Sequence, residues 1–385
     1  MKRLFLILAA FACLASCRPG DCGTIPVIAW HGLSKDAFAK GLPLVKEAGF
    51  DVYLHRVANL DSALVMLDLC RENGLMAMPQ CPELLEDPER VVPLIKDHPA
   101  LYAYYLKDEP EYWDLEWLGG LVEKIQSMDT RVPCYINLYP NWAWEEEKYV
   151  EHINMFADNC PTPMVSFDQY PLTEVDGQIL VRDTWYRNLE EIRTLCNERN
   201  RPMWAFSLLE SHHLGFPSPI AFYPVPTLGH LRLQVFSDLA YGAQAIQFFT
   251  CRGAITSVCE KSPVFGLTQQ MIAEIKSISP IFLGCEVEEV WHVGEMPKGT
   301  KAFDISACRK VRSLEVDGMG AVVSMFRNGR SRYLAFVNKD CENPETLEVT
   351  FKGNVKRVAK DCTMSRFDGQ PVTIAPGDIV IFKLN

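Results

Sequence analysis

Eight short, apolar, strand-like segments alternate with amphipathic, helix-like segments between about residues 25 and 282. Continuous apolar runs are typical of parallel strands that are covered on both faces. Two of the helix-like segments are followed by glycine, at Ala48-Gly49 and Asn73-Gly74, where helices commonly end. Eight such units, joined by right-handed crossovers, predict a closed (β/α)8 barrel. The predicted strands are Pro26–Trp30, Asp51–Arg56, Leu75–Pro79, Leu101–Lys107, Pro133–Asn137, Met164–Asp168, Pro202–Leu208 and Ala245–Thr250.

The pattern changes near Leu283, where short β-rich runs begin that are separated by turn pairs such as Asn328-Gly329. We therefore predict an α/β chain with a (β/α)8, or TIM, barrel over residues 25–283 and a small antiparallel β-sandwich over residues 284–385. A doubly wound open sheet is the alternative, but Trp30-His31-Gly32 is not the glycine-rich phosphate turn that it would need. The predicted sandwich strands are Val287–Val293, Gly320–Phe326, Arg332–Asn338, Thr346–Phe351 and Asp378–Leu384.

The N-terminus carries an export signal. Two basic residues precede an apolar stretch from Leu4 to Ala15, which is too short to span a bilayer. The stretch ends in Leu14-Ala15-Ser16-Cys17, which resembles the lipobox of bacterial lipoproteins, in which the cysteine is lipidated. We expect a signal peptide over 1–16, a tether over 17–24, and a lipid on Cys17 that anchors the exported protein to the periplasmic or surface side of a bacterial membrane. A secretory signal cleaved nearby is the alternative.

The composition argues against nucleic acid as a partner and against a disulfide-rich fold. The formal net charge of −11 argues against nucleic acid, whose phosphates need a basic face. Fourteen cysteines in an exported chain would suit disulfides. However, Cys81, Cys134 and Cys251 fall in or beside predicted strands, where thiols are usually small buried apolar groups. One or two disulfides are compatible with the sequence, but the sequence does not show which cysteines would pair. It does not give an oligomeric state either.

The fourth predicted strand ends in two acids and a proline, Asp108-Glu109-Pro110. Placing two carboxylates at the end of a buried strand costs folding free energy, which suggests that they have a functional role. Because active sites of (β/α)8 barrels lie at the carboxyl ends of the strands, Glu109 is the first catalytic candidate.

The other strand ends bring polar and aromatic side chains to the same rim. Such a mixture suits sugars, which present apolar C–H faces between hydroxyl groups, and Trp30 and Trp142 are the predicted platforms. The predicted substrate-binding residues are Trp30, His31, His55, Arg56, Asp108, Asn137, Tyr139, Trp142, Asp168, Tyr170, His212 and Arg252.

An acid and proline after strand 4, with a glutamate after strand 7, resembles the clan A glycoside hydrolases. The resemblance covers the barrel, and the C-terminal sandwich is similar to accessory domains that often follow such barrels. It implies that Glu109 is the acid/base and Glu210 the nucleophile of a retaining reaction. It also implies that Arg56 corresponds to the strand-2 arginine that pairs with the nucleophile. The segment Phe167–Pro171 resembles the strand-6 rim of related barrels.

The chain departs from that pattern at Asp108, where the clan usually has asparagine. An aspartate there would raise the pKa of Glu109 by like-charge repulsion. Because side chains of a strand alternate between faces, both acids can point inward only if a bulge intervenes. Alternation also groups Glu210 with Trp204, Phe206 and Leu208, so Glu210 faces the helices if they do. Asp168 is the alternative second carboxylate.

The residues predict a glycosidase that acts on an oligosaccharide or glycan and needs no cofactor. His212-His213 lacks a spaced third ligand, so no metal is expected. A separation of about 5–5.5 Å between the two carboxyl groups would mean retention, and about 6.5–9.5 Å inversion. A non-catalytic carbohydrate-binding barrel is the main alternative. A structural surface lipoprotein that binds protein is a third, and it would show an exposed apolar patch instead of a cleft.

Overall fold

The computed structural model describes residues 23–213 and 222–384. The predicted signal peptide and Cys17 therefore lie outside the described residues. Within them, all eleven cysteines are free thiols, and Cys81, Cys134 and Cys251 are buried, as predicted. In the same part of the chain, no helix is long and apolar enough to cross a membrane.

Eight parallel strands form the barrel, and every one overlaps a predicted strand. They are β1 Val27–Trp30, β2 Val52–Arg56, β3 Met76–Gln80, β4 Tyr104–Asp108, β5 Cys134–Leu138, β6 Val165–Phe167, β7 Met203–Leu208 and β8 Ala243–Phe249. The hydrogen-bonded order is β3-β2-β1-β8-β7-β6-β5-β4. Backbone hydrogen bonds from Ala77 N to Ala100 O (2.7 Å) and from Tyr102 N to Ala77 O (2.9 Å) join β3 to the start of β4 and close the ring.

Helices surround the barrel. They are α1 Phe38–Glu47, α2 Leu60–Glu72, α3 Pro82–Glu86, α4 Pro88–Ile95, α5 Leu115–Met128, α6 Glu146–Asn159, α7 Trp185–Arg199, α8 Leu228–Ala240 and α9 Phe265–Phe282. One layer of the core fills the space between strands and helices. A second layer fills the barrel interior with alternate strand residues, including Leu54, Tyr105, Tyr135, Trp204 and Phe206.

Four very short strands form an additional antiparallel sheet, which we call the rim sheet. They follow β6 and β7 in the chain, at Leu172–Val175, Gln178–Val181, His212–His213 and Phe222–Tyr223. Segments of two to four residues carry no usable periodicity, so the sequence did not predict this sheet.

The C-terminal part is an all-β sandwich, as predicted. Its strands are β9 Glu286–Gly294, β10 Val311–Val316, β11 Gly320–Asn328, β12 Ser331–Asn338, β13 Glu345–Phe351, β14 Val355–Val358, β15 Met364–Arg366, β16 Val372–Ile374 and β17 Ile379–Leu384. A six-stranded sheet (β9-β11-β12-β17-β14-β15) packs on a three-stranded sheet (β10-β13-β16). The outer face of the larger sheet packs on the barrel, where Phe326 stacks on Phe282 with ring centroids 4.8 Å apart.

Candidate active site

A bulge in β4 brings Asp108 to the barrel interior. The register of β4 against β5 shifts between Tyr105, which faces the interior, and Lys107. Strict alternation would point Lys107 inward, but its Nζ pairs with Asp114 at the start of α5, at 3.4 Å. Asp108 takes the inward position instead, opposite Asn137 on β5. This is the bulge that the sequence required if both acids were to reach the rim.

Glu109 follows in the left-handed backbone region, with a φ of 49°. A non-glycine residue there is strained, and such residues cluster at functional sites. The conformation is held by a hydrogen bond from Glu109 N to Asn137 O, at 2.8 Å. The side chain is half-buried.

Asn137 connects two acids of the rim. Its Nδ2 donates to Oδ1 of Asp108 and to Oδ1 of Asp168, each at 3.1 Å, so these two oxygens lie within twice that distance of each other. The amide orientation is fixed because Asn137 Oδ1 accepts from Ser166 Oγ at 2.8 Å. Ser166 Oγ in turn accepts from Gln247 Nε2 at 2.8 Å. A reversed amide would place its oxygen against both carboxylates.

The acids of this cluster hold protons more tightly than free carboxyl groups do. Burial, followed by the charge of Asp108, raises the pKa of Glu109 to about 7. Burial also raises the pKa of Asp108. The pKa of Asp168 is raised well above its ordinary value by burial and then by Glu109 and Asp108. The cluster therefore retains a proton near neutral pH, as a proton donor requires.

Arg56 contacts the β4 acid and not Glu210. Its Nε and Nη2 donate to Tyr105 OH at 2.9 and 2.7 Å, and Nη2 pairs with Asp108 Oδ2 at 3.3 Å. The pairing with Glu210 that the family resemblance implied for Arg56 is therefore wrong, because the bulge in β4 presents Asp108 to it.

Glu210 lies across the rim, beside the end of β8. Trp204, Phe206 and Leu208 face the barrel interior, so alternation along β7 directs Glu210 inward and not toward the helices. Thr250 Oγ1 donates to its Oε2, and Arg252 Nε lies 3.3 Å from its Oε1. The side chain is 23% exposed.

Two neutral histidines complete this side of the rim. Burial is the main cause that lowers the pKa of His31 and of His55 to about 4. The positive charges of Arg252 and Arg56 lower the pKa of His31 further, whereas the charge of Glu210 raises it. Uncharged imidazoles can both donate and accept, as sugar hydroxyl groups require.

The predicted aromatic platforms differ in exposure. Trp30 is 3% exposed and packs against Tyr105 and Phe206, with ring centroids 5.5 and 5.0 Å away. It therefore belongs to the floor of the barrel, and its interpretation as an open platform is wrong. Trp142 is 45% exposed. The Arg182 guanidinium lies 5.1 Å from its ring.

The remaining predicted residues lie around these groups. Tyr170 is buried beside Tyr223 and Phe249, with ring centroids 5.5 and 5.4 Å away. His212 belongs to the rim sheet, and its Nδ1 donates to the Glu210 carbonyl at 2.9 Å. No group of His, Cys, Asp and Glu side chains among the described residues is arranged to hold a metal ion.

We call residues 109–111 the acid loop. Two side chains that contact it, Tyr139 and His152, were not predicted to do so. Tyr139, a predicted sugar ligand, donates its hydroxyl to Glu111 Oε1 at 3.2 Å. His152 on α6 was not predicted at all. It is buried, and its Nε2 donates to Pro110 O at 2.8 Å. A histidine inside an amphipathic helix gives no signal of such a contact.

Neither a protein-family model nor a curated protein sequence matches this chain. Among solved structures, Amy13B of Eubacterium rectale matches with a TM-score of 0.54 at 7% identity, over 95% of this chain and 97% of that one. The alpha-fucosidase of Thermotoga maritima matches with a TM-score of 0.47 at 7% identity, over 95% and 96% of the two chains. The tryptophan synthase of M. tuberculosis matches with a TM-score of 0.41 at 11% identity, over 70% and 97%. The likeness to Amy13B shows a shared fold over nearly the whole chain, and the two weaker matches carry no argument.

Proposed function

We propose that this protein is a glycoside hydrolase of retaining type that acts on an oligosaccharide or glycan. The observation that carries the proposal is the environment of Glu109. It stands at the carboxyl end of a barrel strand, half-buried, with its pKa raised to about 7. A carboxyl group that stays protonated near neutral pH can give its proton to a glycosidic oxygen.

Glu210 is the better nucleophile of the two alternatives. A nucleophile has to be ionised while the acid is protonated. Asp168 lies in the same acidic cluster as Glu109, and its pKa is raised well above its ordinary value. Glu210 instead faces the guanidinium of Arg252 and accepts from the Thr250 hydroxyl. Arg252 would thus have the role that the family resemblance implied for Arg56.

The reaction then has two steps. Glu109 protonates the leaving oxygen while Glu210 attacks the sugar carbon and forms a glycosyl-enzyme. Glu109, now ionised, takes a proton from water, which releases the sugar and restores both side chains. Asn137 would orient acids and not sugar, because both of its N–H groups point at carboxylates. His31 and His55 would bind hydroxyl groups, and Trp142 would provide an outer platform.

The test is a screen of aryl glycosides with four proteins: wild type, Glu109→Gln, Glu210→Gln and Asp168→Asn. Glu116→Gln, an exposed glutamate at the start of α5, is the matched control. We expect Glu109→Gln to lose about 10²–10⁴-fold in kcat/KM on substrates with poor leaving groups. Azide should rescue Glu109→Ala with retained anomeric configuration and Glu210→Ala with inverted configuration.

The outcomes separate the alternatives. Full activity of Glu210→Gln beside an inactive Asp168→Asn would move the nucleophile to Asp168. Binding of the same sugars without turnover by wild type would replace the proposal with a non-catalytic carbohydrate-binding barrel.

We also propose that the protein is exported and anchored through a lipid on Cys17. Ile25, just before β1, donates its backbone N–H to Ser279 Oγ at 3.0 Å, at the face of the barrel opposite the acids. A tether leaving from that face would leave the rim facing away from a membrane. Cys17→Ala should move the protein from the detergent phase to the aqueous phase in a detergent-partition experiment, and an unchanged distribution would contradict the anchor.

A further inference from the structure

A basic groove lies at one end of the sandwich, between the turn that joins β11 to β12 and the segment that precedes β10. Its volume is about 640 Å³. Four basic side chains line it: Arg309, Lys310, Arg330 and Arg332. No acidic side chain from the described ranges lines it. Such a concentration of positive charge contrasts with the formal net charge of −11 of the whole chain.

Most of this positive charge is available to a ligand. Arg332 pairs with Glu288, with Nη2 and Oε1 2.8 Å apart. In contrast, Arg309, Lys310 and Arg330 form no ion pair with any residue that the structure describes. Arg309 and Arg330 are exposed, so neither has lost its hydration in the free protein. An arriving anion would gain charge-assisted hydrogen bonds without first having to break internal ones.

The groove also has an apolar floor. Met325 and Leu384, which are 8% and 7% exposed, line it together with the exposed Ala307. A ring of an acidic sugar has an apolar C–H face and a carboxylate or sulfate at its edge. An apolar floor beneath guanidinium groups matches both parts, and the planar arginine fork suits bidentate contact with a carboxylate or sulfate.

The groove is separate from the candidate active site. Asn328, the last residue of β11 before the turn that lines the groove, donates its Nδ2 to the carbonyls of Ile281 (3.1 Å) and Leu283 (2.9 Å), at the C-terminal end of α9. In a barrel of alternating strands and helices that end lies at the N-terminal face, whereas Glu109 lies at the opposite, C-terminal face.

We propose that this groove is a binding site for a segment of an acidic polysaccharide, held through its carboxylate or sulfate groups. A concave groove suits a chain that lies along it, whereas a bilayer presents its headgroups as a flat array. The site would hold the polymer while the barrel rim remains free. The proposal does not depend on catalysis at the rim.

The test measures binding of polygalacturonate and chondroitin sulfate to the purified full-length protein by calorimetry. Neutral dextran, inorganic polyphosphate and vesicles containing phosphatidylglycerol are the comparison ligands. We expect at least one acidic polysaccharide to bind, more weakly as salt increases. Arg309→Glu/Arg330→Glu should weaken that binding by at least about tenfold. Lys356→Glu/Arg366→Glu changes the charge equally at exposed sites of β14 and β15 outside the groove, and it should bind as wild type does.

Four results would overturn the proposal: no binding of either acidic polysaccharide, equally tight binding of polyphosphate, binding of the vesicles alone, or an equal loss of binding in both double variants. If Arg309→Glu/Arg330→Glu unfolds, Arg309→Gln/Arg330→Gln gives the same comparison with less repulsion. Turnover of aryl glycosides should be the same in every variant, so a failure at the groove is distinguishable from a failure of the glycosidase proposal.

Discussion

Glu109 combines a strained backbone with a carboxyl group whose proton is retained near neutral pH. In the proposed mechanism it must be protonated before the first step, so kcat/KM should fall as pH rises through about 7. Asp108 is the second cause of the raised pKa, after burial. Asp108→Asn removes that charge, so the alkaline limb of the pH profile should move to lower pH while burial keeps it above the range of an ordinary glutamate.

This prediction is checked by the pH dependence of kcat/KM on an aryl glycoside, with Glu116→Gln as the control. An alkaline limb that stays in place, or moves to higher pH, would mean that Asp108 does not act on the acid. The same variant restores the asparagine that is usual before the strand-4 glutamate in clan A enzymes. It therefore also tests how much the replacement of that asparagine by Asp108 changes the pH profile of the enzyme we propose.

Asp238 is a second buried acid, remote from the proposed chemistry. It is 1% exposed on α8, with Ser207 Oγ as a donor at 3.4 Å and no ion pair to any residue in the described ranges. Burial raises its pKa well above the ordinary value. An acid whose pKa is raised in the folded state binds its proton more tightly there, so its effect on stability becomes unfavourable as pH rises above about 3.9.

Asp238→Asn should therefore raise the melting temperature at pH 8 and leave it nearly unchanged at pH 4. Calorimetry at the two pH values checks this. The control is Asp368→Asn, an exposed aspartate whose Oδ1 accepts from Gln370 N, a contact that asparagine keeps. If Asp238→Asn is destabilised equally at both pH values, the carboxyl group of Asp238 makes a stabilising contact. It would then not be a buried charge that lowers stability at high pH.

At the scale of elements, the sequence predicts the barrel well and the site only in part. Strands covered on both faces appear as apolar runs, so all eight were located. The bulge in β4 depends on the register against β5, which no local pattern encodes, and it decides the partner of Arg56. Four sandwich strands, β10, β14, β15 and β16, were not predicted, and in β15 all three residues are exposed and show no alternation. Trp30 was misread because only packing against Tyr105 and Phe206 shows that it is covered.

The acid loop illustrates how neighbouring elements fix the position of Glu109, the proposed proton donor. Three of its contacts reach β5, the residue after β5, and α6: Glu109 N to Asn137 O, Glu111 to Tyr139, and Pro110 O to His152. The His152 ring stacks on Trp144 with centroids 5.1 Å apart, so its position is fixed by packing as well as by the hydrogen bond. We regard His152 as a positioning residue for Glu109.

His152→Phe keeps an aromatic ring and removes the donor to Pro110. Because small displacements of a reacting group are costly, we expect kcat to fall by about 10–100-fold with little change in KM. The alkaline limb should also move toward the range of an ordinary glutamate as Glu109 becomes less buried. His152→Gln, whose amide can donate, should recover part of the loss. Steady-state kinetics across pH measures both effects.

Tyr112→Phe is the matched control in the same aromatic cluster, because its hydroxyl donates to Lys148 O and not to the acid loop. If Tyr112→Phe lowers kcat as much as His152→Phe does, the effect belongs to the packing of the cluster. The positioning role would then be wrong.

At the scale of the whole molecule, barrel and sandwich are joined by an alternating network of four charges. Glu274 on α9 lies 2.5 Å from Arg232 on α8 and 2.5 Å from Lys360 of the sandwich. Asp378 completes the network, 3.4 Å from Arg232 and 2.7 Å from Lys360. The apolar contact between Phe282 and Phe326 is a second connection between the barrel and the sandwich.

Glu274→Gln tests this connection. The side chain is 12% exposed. Without its charge, Asp378 is the one acid among the described residues that still pairs with Arg232 and Lys360. Breaking a buried network in this way should cost about 3 kcal/mol at neutral pH. Glu47→Gln, which removes an exposed pair with Lys261, should cost less than about 1 kcal/mol.

The direction of the pKa shift of Glu274 predicts how the loss of stability in Glu274→Gln changes with pH. Burial by itself would raise the pKa of Glu274, but Arg232 and Lys360 outweigh burial and lower the pKa. A depressed pKa in the folded state gives stability that is present above the unfolded value of about 4.3 and is lost as pH falls through the folded value. The difference in unfolding free energy between wild type and Glu274→Gln, measured in urea, should therefore shrink below about pH 4. Turnover at the rim should not change, because none of the four network residues is among the candidate site residues. A difference that is the same at pH 7 and pH 3.5 would mean that Glu274 contributes through packing and not through its charge.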